Sequence, residues 1–331
     1  MKNLRVAIVG LGKMGLLHAS ILNSIPNVEI VGLCDRSYLL LKLVKKLFKN
    51  AQAVNTVEKL VDLDINTVYV TTPIPSHFSI IKTVLSKRIA HNIFVEKTLT
   101  SNYTKSKELC ALMQTTEGTN MVGYMKRFAV TFAKAKEILL KGDLGKVVSF
   151  EAYAYSSDFS TVSLDSLKST SRGGVLSDLG SHVIDLALWF FGDFEVESSS
   201  LISNLGGTSE DSADFIVKKS GLTGQFQISW CKENFRMPNF GLSIKGKDGI
   251  LKVNDSSLKL ELNDDRSFVW LKHDLDDHVN FMLGQPEFYR ENEAFVNSVF
   301  SGIMNQPSFR TASQVDYIID QAKKRGIKNV T

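Results

Sequence analysis

A strand, a glycine-rich turn, a helix and a second strand follow one another at the start of this 331-residue chain. The apolar run from Leu4 to Gly10 is rich in β-branched residues, as a buried parallel strand requires. Gly10, Gly12 and Gly15 follow in the pattern G-x-G-x-x-G, and a helical pattern opens directly after them. The next apolar run, from Val28 to Asp35, ends in an acidic residue. This order predicts a βαβ unit that binds a dinucleotide.

Each glycine has its own physical task in such a unit. Gly10 permits the tight turn, Gly12 lets the backbone approach a pyrophosphate closely, and Gly15 lets the helix pack on the strand. The first backbone N–H groups of the helix, those of Lys13 and Met14, lie at the positive end of the helix dipole and suit phosphate oxygens. We therefore expect all five residues to bind the cofactor.

The residues at the end of the second strand favour one cofactor over another. The Asp35 carboxylate would accept hydrogen bonds from an adenosine ribose and would repel a 2′-phosphate. The neighbouring Arg36 could stack on adenine or pair with a 2′-phosphate, so that NADP stays open as an alternative. The sequence thus predicts NAD as the cofactor, bound in part by Asp35 and Arg36.

Strand and helix patterns go on alternating through the first third of the chain. They predict a doubly wound parallel sheet, the α/β Rossmann architecture, over residues 1–122. Ligands of such sheets lie outside the carboxyl ends of the strands. The residues at those ends are Thr71, Thr72, Pro73, Glu96, Lys97 and Tyr124.

The patterning changes after residue 122. A helix over Phe128–Lys141 leads into strands of alternating apolar and polar residues, and helical patterns return at Glu287–Phe300 and Thr311–Lys324. Residues 123–331 are therefore predicted to form an α+β domain with a large, mostly antiparallel, open-faced sheet. Because one face of such a sheet is left uncovered, we expect a homodimer or homotetramer that pairs through it.

Three ionisable residues share one face of an otherwise apolar helical segment, Gly173–Gly192. Asp178, His182 and Asp185 recur at helical spacing, which places them within roughly a 60° arc of the helix. On this segment alone three interpretations compete. This stripe, Asp178, His182 and Asp185, could be a structural polar cluster in a core, a metal site, or an acid/base group that faces a substrate.

Composition narrows the classes of partner. The formal net charge of +4 is small and basic residues are spread along the chain, so we expect neither a nucleic-acid nor a membrane partner. The isolated cysteines Cys34, Cys110 and Cys231 predict reduced thiols, a cytoplasmic location and no zinc site. The polar segment Ser156–Arg172 has the length of a loop that covers an active site, or of a plain surface loop.

Five motifs, in this order and spacing, resemble the Gfo/Idh/MocA family of nicotinamide-dependent oxidoreductases. They are VGLGKMGLLHASIL, TTPIPSH, VEKTLT, GYMKRF and GGVLSDLGSHVID. The resemblance covers nearly the whole chain and implies a Rossmann domain followed by an α+β domain whose open sheet often pairs subunits. It also implies a nicotinamide cofactor and substrates that are usually sugars, cyclitols or their derivatives.

The resemblance also implies roles for single residues. Lys97 matches the family's active-site lysine, and Asp178 and His182 match its D-x-x-x-H pair. Asp35 resembles the ribose-binding acid. Residues expected along the cofactor cleft are Thr71, Thr72, Pro73, His77, Glu96, Lys97 and Arg127. Residues expected to contact substrate are Lys97, Tyr124, Arg172, Asp178, His182 and Asp185. Asp185 is equally suited to holding its helix.

One position departs from the family pattern, which usually reads Glu-Lys-Pro where this chain has Glu96, Lys97 and Thr98. An X-Pro bond adopts the cis form at modest cost, whereas a cis bond before another residue costs about 2.5–4 kcal/mol. Thr98 must reach the backbone shape of this segment without proline. The geometry here therefore bears directly on the placement of Lys97.

Taken together, these residues favour an acid/base group and no metal, because the Lys97 cation would compete with a metal ion. Neutral His182 would take the hydroxyl proton of a secondary alcohol, Asp178 would hold its tautomer, and Lys97 would stabilise the developing negative charge. The prediction is an NAD(P)-dependent dehydrogenase or reductase of a sugar-like polyol. Two alternatives stay open: an enzyme that retains its NAD for transient oxidation in elimination or glycoside hydrolysis, and a non-catalytic cofactor-binding or sensor protein.

Overall fold

The computed structural model describes residues 3–157, 173–203, 209–279, 281, 284–304 and 306–329. The chain divides into two compact units, and each unit draws on two separate stretches of the sequence. The first unit comprises the residues up to Tyr124 together with Val279–Ser313. The second comprises Met125–His278 together with the residues from Gln314 onward.

The first unit contains a six-stranded parallel sheet. Its strands are β1 (Leu4–Val9), β2 (Val28–Cys34), β3 (Gln52–Val54), β4 (Thr67–Val70), β5 (Asn92–Glu96) and β6 (Asn120–Gly123), in the spatial order β3-β2-β1-β4-β5-β6. The helices of this part are α1 (Lys13–Leu22), α2 (Tyr38–Leu47), α3 (His77–Ser86) and α4 (Tyr103–Gln114). This is the doubly wound arrangement that the alternating pattern predicts. The short, largely exposed β3 was not predicted, and a 3-10 helix at Val57–Asp62 follows it.

The second unit contains a nine-stranded, mostly antiparallel sheet. Its strands are β7 (Val147–Tyr155), β8 (Glu195–Ile202), β9 (Ser212–Lys219), β10 (Leu222–Ser229), β11 (Asn239–Gly246), β12 (Gly249–Asn254), β13 (Ser257–Leu262), β14 (Ser267–Leu271) and β15 (Gly326–Asn329). Their spatial order is β14-β13-β12-β11-β7-β10-β9-β8-β15, in which β7–β10 and β8–β15 pair in parallel. Two helices of this unit, α5 (Val130–Lys141) and α6 (Ser181–Phe191), contact the sheet. The predicted fold class is confirmed.

Alternate residues of the central strands enter an aromatic core. Phe215 and Phe226 stack with their ring centroids 4.4 Å apart, and Phe150 meets Phe226 edge-on at 5.5 Å. The intervening Gln225 and Gln227 are exposed. This alternation explains why a period of two located the central strands. The pattern is weak in β8, β14 and β15, and these strands were not predicted.

A helix from late in the chain completes the core of the first unit. The last two helices are α7 (Glu287–Ser301) and α8 (Phe309–Arg325). Phe295 of α7 packs edge-on against Tyr69 and Phe94, with ring centroids 5.5 and 5.6 Å away. The sequence places this segment in a domain spanning residues 123–331. In the structure Val279–Ser313 groups with the first unit, because the apolar partners of α7 lie there.

Candidate active site

The glycine-rich turn of the first unit has the shape that a bound pyrophosphate requires. Gly10 has a φ of 98°, in the left-handed region that favours glycine. A Cβ at Gly15 would lie 1.9 Å from the carbonyl oxygen of Gly10, so the close packing of α1 needs glycine there. At Gly12, apart from its two neighbours in the chain, no atom of the described residues lies within 4 Å of a Cβ position. The backbone at Gly12 is therefore open to a ligand.

The start of α1 supplies hydrogen-bond donors beside this open space. Gly12 is the N-cap residue, and it has no side chain that could accept from the first N–H groups of the helix. The N–H groups of Lys13 and Met14 are therefore available to an anion at the positive end of the helix dipole. Open space and backbone donors together fit a dinucleotide diphosphate.

Many of the residues expected to bind the cofactor line one cleft of about 520 Å³. The Asp35 carboxylate also ties the turn to β2, because Oδ2 accepts from the N–H of Leu11 and Oδ1 from that of Ser37, both at 2.8 Å. From the neighbouring strand end, Oγ1 of Thr71 donates to the carbonyl oxygen of Gly10 at 2.7 Å. The expected residues that line the cleft are Gly10, Gly12, Asp35, Arg36, Thr71, Thr72 and Pro73.

His77 occupies a different place from the one expected of a cofactor ligand. Its side chain is fully buried, with Nδ1 2.9 Å from the carbonyl oxygen of Thr98 and Nε2 2.7 Å from that of Thr72. The ring has no exposed surface with which to touch a ligand. Burial lowers the pKa of His77 below its usual value, against the two carbonyls, which favour the protonated ring.

The segment Glu96-Lys97-Thr98 begins at the end of β5. Glu96 is buried, and its Oε1 lies 2.8 Å from Nε2 of His18, which is fully buried. Nδ1 of His18 lies 3.0 Å from Oδ1 of Asn292 on α7. The Lys97–Thr98 peptide bond is cis although Thr98 is not proline, and Lys97 is partly exposed. The sequence motifs contain His18 but assign it no role, and they do not reach Asn292.

In the second unit the predicted stripe begins in a π-helical turn, Leu176–Gly180, which runs directly into α6. Oδ2 of Asp178, in this turn, accepts from Nε1 of Trp230 at 3.2 Å. His182, in the first turn of α6, is 5% exposed, and its ring meets Phe240 edge-on at 5.1 Å. A π turn inserted in a helix is frequent at functional sites. The expected single helix is thus a π turn followed by an α-helix, with Asp178 and His182 on either side of the junction.

Asp185, the third residue of the stripe, pairs with Arg127. Nε and Nη2 of Arg127 donate to its two carboxylate oxygens at 2.7 and 2.6 Å, and both side chains are buried. Burial raises the pKa of Asp185, and the guanidinium acts in the opposite direction. The pairing favours the structural alternative for Asp185, that of holding its helix, and gives Arg127 a protein partner. Each side chain is already committed to the other inside the second unit.

An ion pair that the sequence did not predict supports the ring of Phe240. Nζ of Lys126 lies 2.6 Å from Oδ1 of Asp255 and 5.1 Å from the centroid of the Phe240 ring. Oδ2 of the same Asp255 accepts from the N–H of Phe240 at 3.3 Å. Because Phe240 touches His182, this pair helps to fix the surroundings of the imidazole. Lys126 lies in the GYMKRF motif, which is the sequence signal that could have singled it out.

Two further residues, Tyr124 and Arg172, were expected to contact substrate. Tyr124 is fully buried, so the expected contact with substrate has no exposed surface in this structure. Arg172, and the polar segment before it from residue 158, lie outside the described residues.

Within the described ranges, no group of three His, Cys, Asp or Glu side chains could hold a metal ion. Burial raises the pKa of Cys34, beside the cleft, to about 12, so its thiol is protonated.

A doubly wound parallel sheet whose first strand ends in a glycine-rich turn is the architecture of a dinucleotide-binding Rossmann domain. A family model described as an oxidoreductase family with an NAD-binding Rossmann fold matches residues 4–124, and the GFO/IDH/MocA C-terminal domain model matches residues 132–252. The chain belongs to the Gfo/Idh/MocA oxidoreductase family, and its first unit carries an NAD-binding Rossmann domain.

Similar proteins include dehydrogenases of sugars and cyclitols. The scyllo-inositol 2-dehydrogenase (NAD(+)) of Bacillus subtilis is 28% identical over 193 residues, which cover 57% of this chain and 54% of that protein. The D-apiose dehydrogenase of Paraburkholderia graminis is 23% identical over 274 residues, which cover 79% and 70%. The chain thus spans about half the length of the first of these relatives.

Solved structures show the same fold. A levoglucosan dehydrogenase in complex with NADH and levoglucosan superposes with a TM-score of 0.85 at 20% identity, over 98% of each chain. A 3-ketoreductase from Actinomadura kijaniata in complex with NADP superposes with a TM-score of 0.81 at 18% identity, over the whole of each chain. Across the described part of this chain, every helix is too short or too polar to cross a bilayer.

Proposed function

We propose that this protein is an NAD-dependent oxidoreductase that interconverts a secondary alcohol and a ketone of a sugar, a cyclitol or a related polyol. The observation that carries the proposal is the cleft of the first unit, with open backbone at Gly12 and the Asp35 carboxylate in its lining. Similarity to dehydrogenases of inositol, apiose and levoglucosan supports the substrate class.

The chain supplies distinct groups for the cofactor and for the reacting alcohol. Gly12 and the first N–H groups of α1 hold the diphosphate, and Asp35 accepts from the adenosine ribose. A bound nicotinamide ring supplies the hydride acceptor for the carbon that is oxidised. His182 takes the hydroxyl proton, Asp178 orients the imidazole, and Lys97 stabilises the negative charge that develops on oxygen.

The test is a panel of free sugars, cyclitols and sugar nucleotides, each incubated with NAD or NADP while reduction of the nicotinamide is followed by absorbance. We expect multiple turnovers with at least one cyclic polyol. Turnover without net release of reduced cofactor would instead indicate transient oxidation. Tight cofactor binding with no turnover across the panel would favour a non-catalytic role and contradict the proposal.

Replacing Asp35 by Ser is expected to shift the cofactor preference toward NADP. The substitution removes a carboxylate that repels the 2′-phosphate and leaves Arg36 able to pair with it. We expect the affinity ratio of NADP to NAD to rise by about tenfold or more, the equivalent of about 1.4 kcal/mol. Fluorescence titration with both cofactors measures the ratio.

Because Asp35 also accepts from the N–H of Leu11, the matched control is Asp35→Asn, which removes the charge and keeps an acceptor oxygen. Asp35→Asn is expected to shift the ratio in the same direction with a smaller loss of NAD affinity. A wild-type protein that already binds NADP more tightly than NAD would contradict the role given to Asp35.

We also propose a cytoplasmic homodimer or homotetramer that pairs through the open face of the second unit's sheet. Tyr153, Gln225, Gln227 and Lys252 line a cavity of about 400 Å³ on this face. Sedimentation velocity at micromolar concentration is expected to show a dimer or tetramer. Gln227→Arg, which adds a charge on the face, is expected to shift the distribution toward monomer. A wild-type monomer under these conditions would exclude this mode of pairing.

A further inference from the structure

Two buried histidines contact the residues on either side of Lys97. His18 bonds to the side chain of Glu96, the residue before Lys97, and His77 bonds to the carbonyl oxygen of Thr98, the residue after it. Both histidines are fully buried, and neither is needed for the cleft surface. The two contacts meet the segment where β5 ends at Glu96 and strand pairing no longer fixes the backbone.

The protons of His18 can be placed from the hydrogen bonds around it. Nδ2 of Asn292 donates to the carbonyl oxygen of Phe288 at 2.7 Å, which orients the amide so that Oδ1 faces the imidazole. Nδ1 of His18 therefore carries a hydrogen and donates it to Asn292 over 3.0 Å. Nε2 is left to share one proton with Oε1 of Glu96 over 2.8 Å. Each ring nitrogen of His18 thus has one defined partner.

His77 uses its two ring nitrogens the other way round from His18. Its Nδ1 faces the carbonyl oxygen of Thr98 at 2.9 Å, while its Nε2 faces that of Thr72 at 2.7 Å. The nitrogen that reaches the Lys97 segment is therefore Nδ1 in His77 but Nε2 in His18. The other nitrogen ties His18 to α7 and His77 to the cleft-lining residue Thr72.

We propose that His18 and His77 are positioning residues, which act through Glu96 and Thr98 to hold Lys97 at the place where it stabilises the reacting oxygen. The inference rests on the proposed function, since Lys97 must act on a substrate for its position to matter. A displacement of about 1 Å in a catalytic group can cost about 10²-fold in rate. One contact to the side chain of the residue before Lys97 and one to the backbone of the residue after it restrain the segment against such a shift.

The opposite use of the two ring nitrogens allows a crossed test. The amide nitrogen of Asn is as many bonds from Cα as Nδ1 of histidine, and that of Gln is as many bonds away as Nε2. At position 18, Gln keeps a donor for Glu96 and Asn loses it. A neutral His77 carries one N–H, and in the tautomer with hydrogen on Nδ1 it donates to Thr98. At position 77, Asn keeps that donor and Gln loses it.

We therefore expect opposite rankings at the two sites. His18→Asn and His77→Gln are expected to lower kcat by about 10–100-fold with little change in the KM for the polyol, whereas His18→Gln and His77→Asn lose less than about threefold. The rate at which acetic anhydride acetylates Lys97, measured by peptide mass spectrometry, is expected to change in His18→Asn and His77→Gln. The control is Asn92→Ala, at the other end of β5, where Asn92 bonds to backbone atoms of Asn66 and Thr119.

Asn92→Ala is expected to lower the melting temperature and to leave both kcat and the labelling of Lys97 near wild type. The inference would be overturned if Asn and Gln ranked in the same order of kcat at positions 18 and 77. It would also be overturned if the histidine variants changed only the melting temperature. The labelling needs no turnover, so it separates the two proposals. An inactive wild type with a crossed labelling pattern contradicts the proposed function, and an active wild type without that pattern contradicts the role of the histidines.

Discussion

Replacing His182 by Asn is expected to lower turnover by about 10²–10⁴-fold, the usual contribution of a general base. The amide cannot take up the hydroxyl proton, yet it is polar and close to the imidazole in size. Folding and NAD affinity should therefore persist, because the glycine-rich turn that binds the diphosphate is formed by other residues. Thermal melts beside single-turnover measurement of hydride transfer separate the two effects.

Asp178→Asn and Trp230→Phe are the matched variants for this test. Asp178→Asn is expected to lower turnover less than His182→Asn does, if Asp178 only orients the imidazole. Trp230→Phe removes the donor to Oδ2 of Asp178 while keeping an aromatic ring. It is expected to lower turnover less than Asp178→Asn does. A sharp drop in melting temperature for His182→Asn, with full specific activity in the folded fraction, would show that His182 has a structural role and is not the general base.

Replacing Asp185 by Asn is expected to destabilise the protein by about 3–5 kcal/mol, because it leaves the buried Arg127 guanidinium without its counter-charge. Both carboxylate oxygens now accept from that guanidinium over 2.6–2.7 Å. Urea denaturation monitored by circular dichroism measures the loss as a lower midpoint.

The control for this prediction is an exposed ion pair, Lys82 with Glu108, whose side chains are 52% and 47% exposed. Breaking it by Glu108→Gln should cost about 1 kcal/mol or less. The double replacement Arg127→Met with Asp185→Leu is expected to recover part of the loss, since no charge is then left buried. Equal costs for Asp185→Asn and Glu108→Gln would show that the buried pair does not stabilise the second unit.

The Rossmann part of the fold could be predicted because its signals are local. The glycines, the strand before them and the acid after them lie within one short stretch, and each has a steric or electrostatic reason to be there. Continuous apolar runs marked β1, β4 and β5, because these strands are buried on both faces. The exposed β3 has no such run and could not be located in this way.

The stripe of the second unit shows where such prediction stops. Periodicity predicts that Asp178, His182 and Asp185 share one side of a helical segment, but it does not tell which partner each will meet. Asp185 meets Arg127, which lies far from it in sequence, and that pairing arises only from the packing of the second unit. Asn292 likewise reaches His18 only because α7 returns to the first unit.

The return of α7 to the first unit also has a consequence for how the chain is made. Translation adds about 5–20 residues per second, and strands β7 to β14 all emerge before Phe295 does. Throughout that interval the nascent Rossmann sheet keeps Tyr69 and Phe94 without the ring that covers them in the finished protein. A ribosome that stalls between β6 and α7 would therefore hold a sheet with an uncovered aromatic surface, a substrate for chaperones and a seed for aggregation.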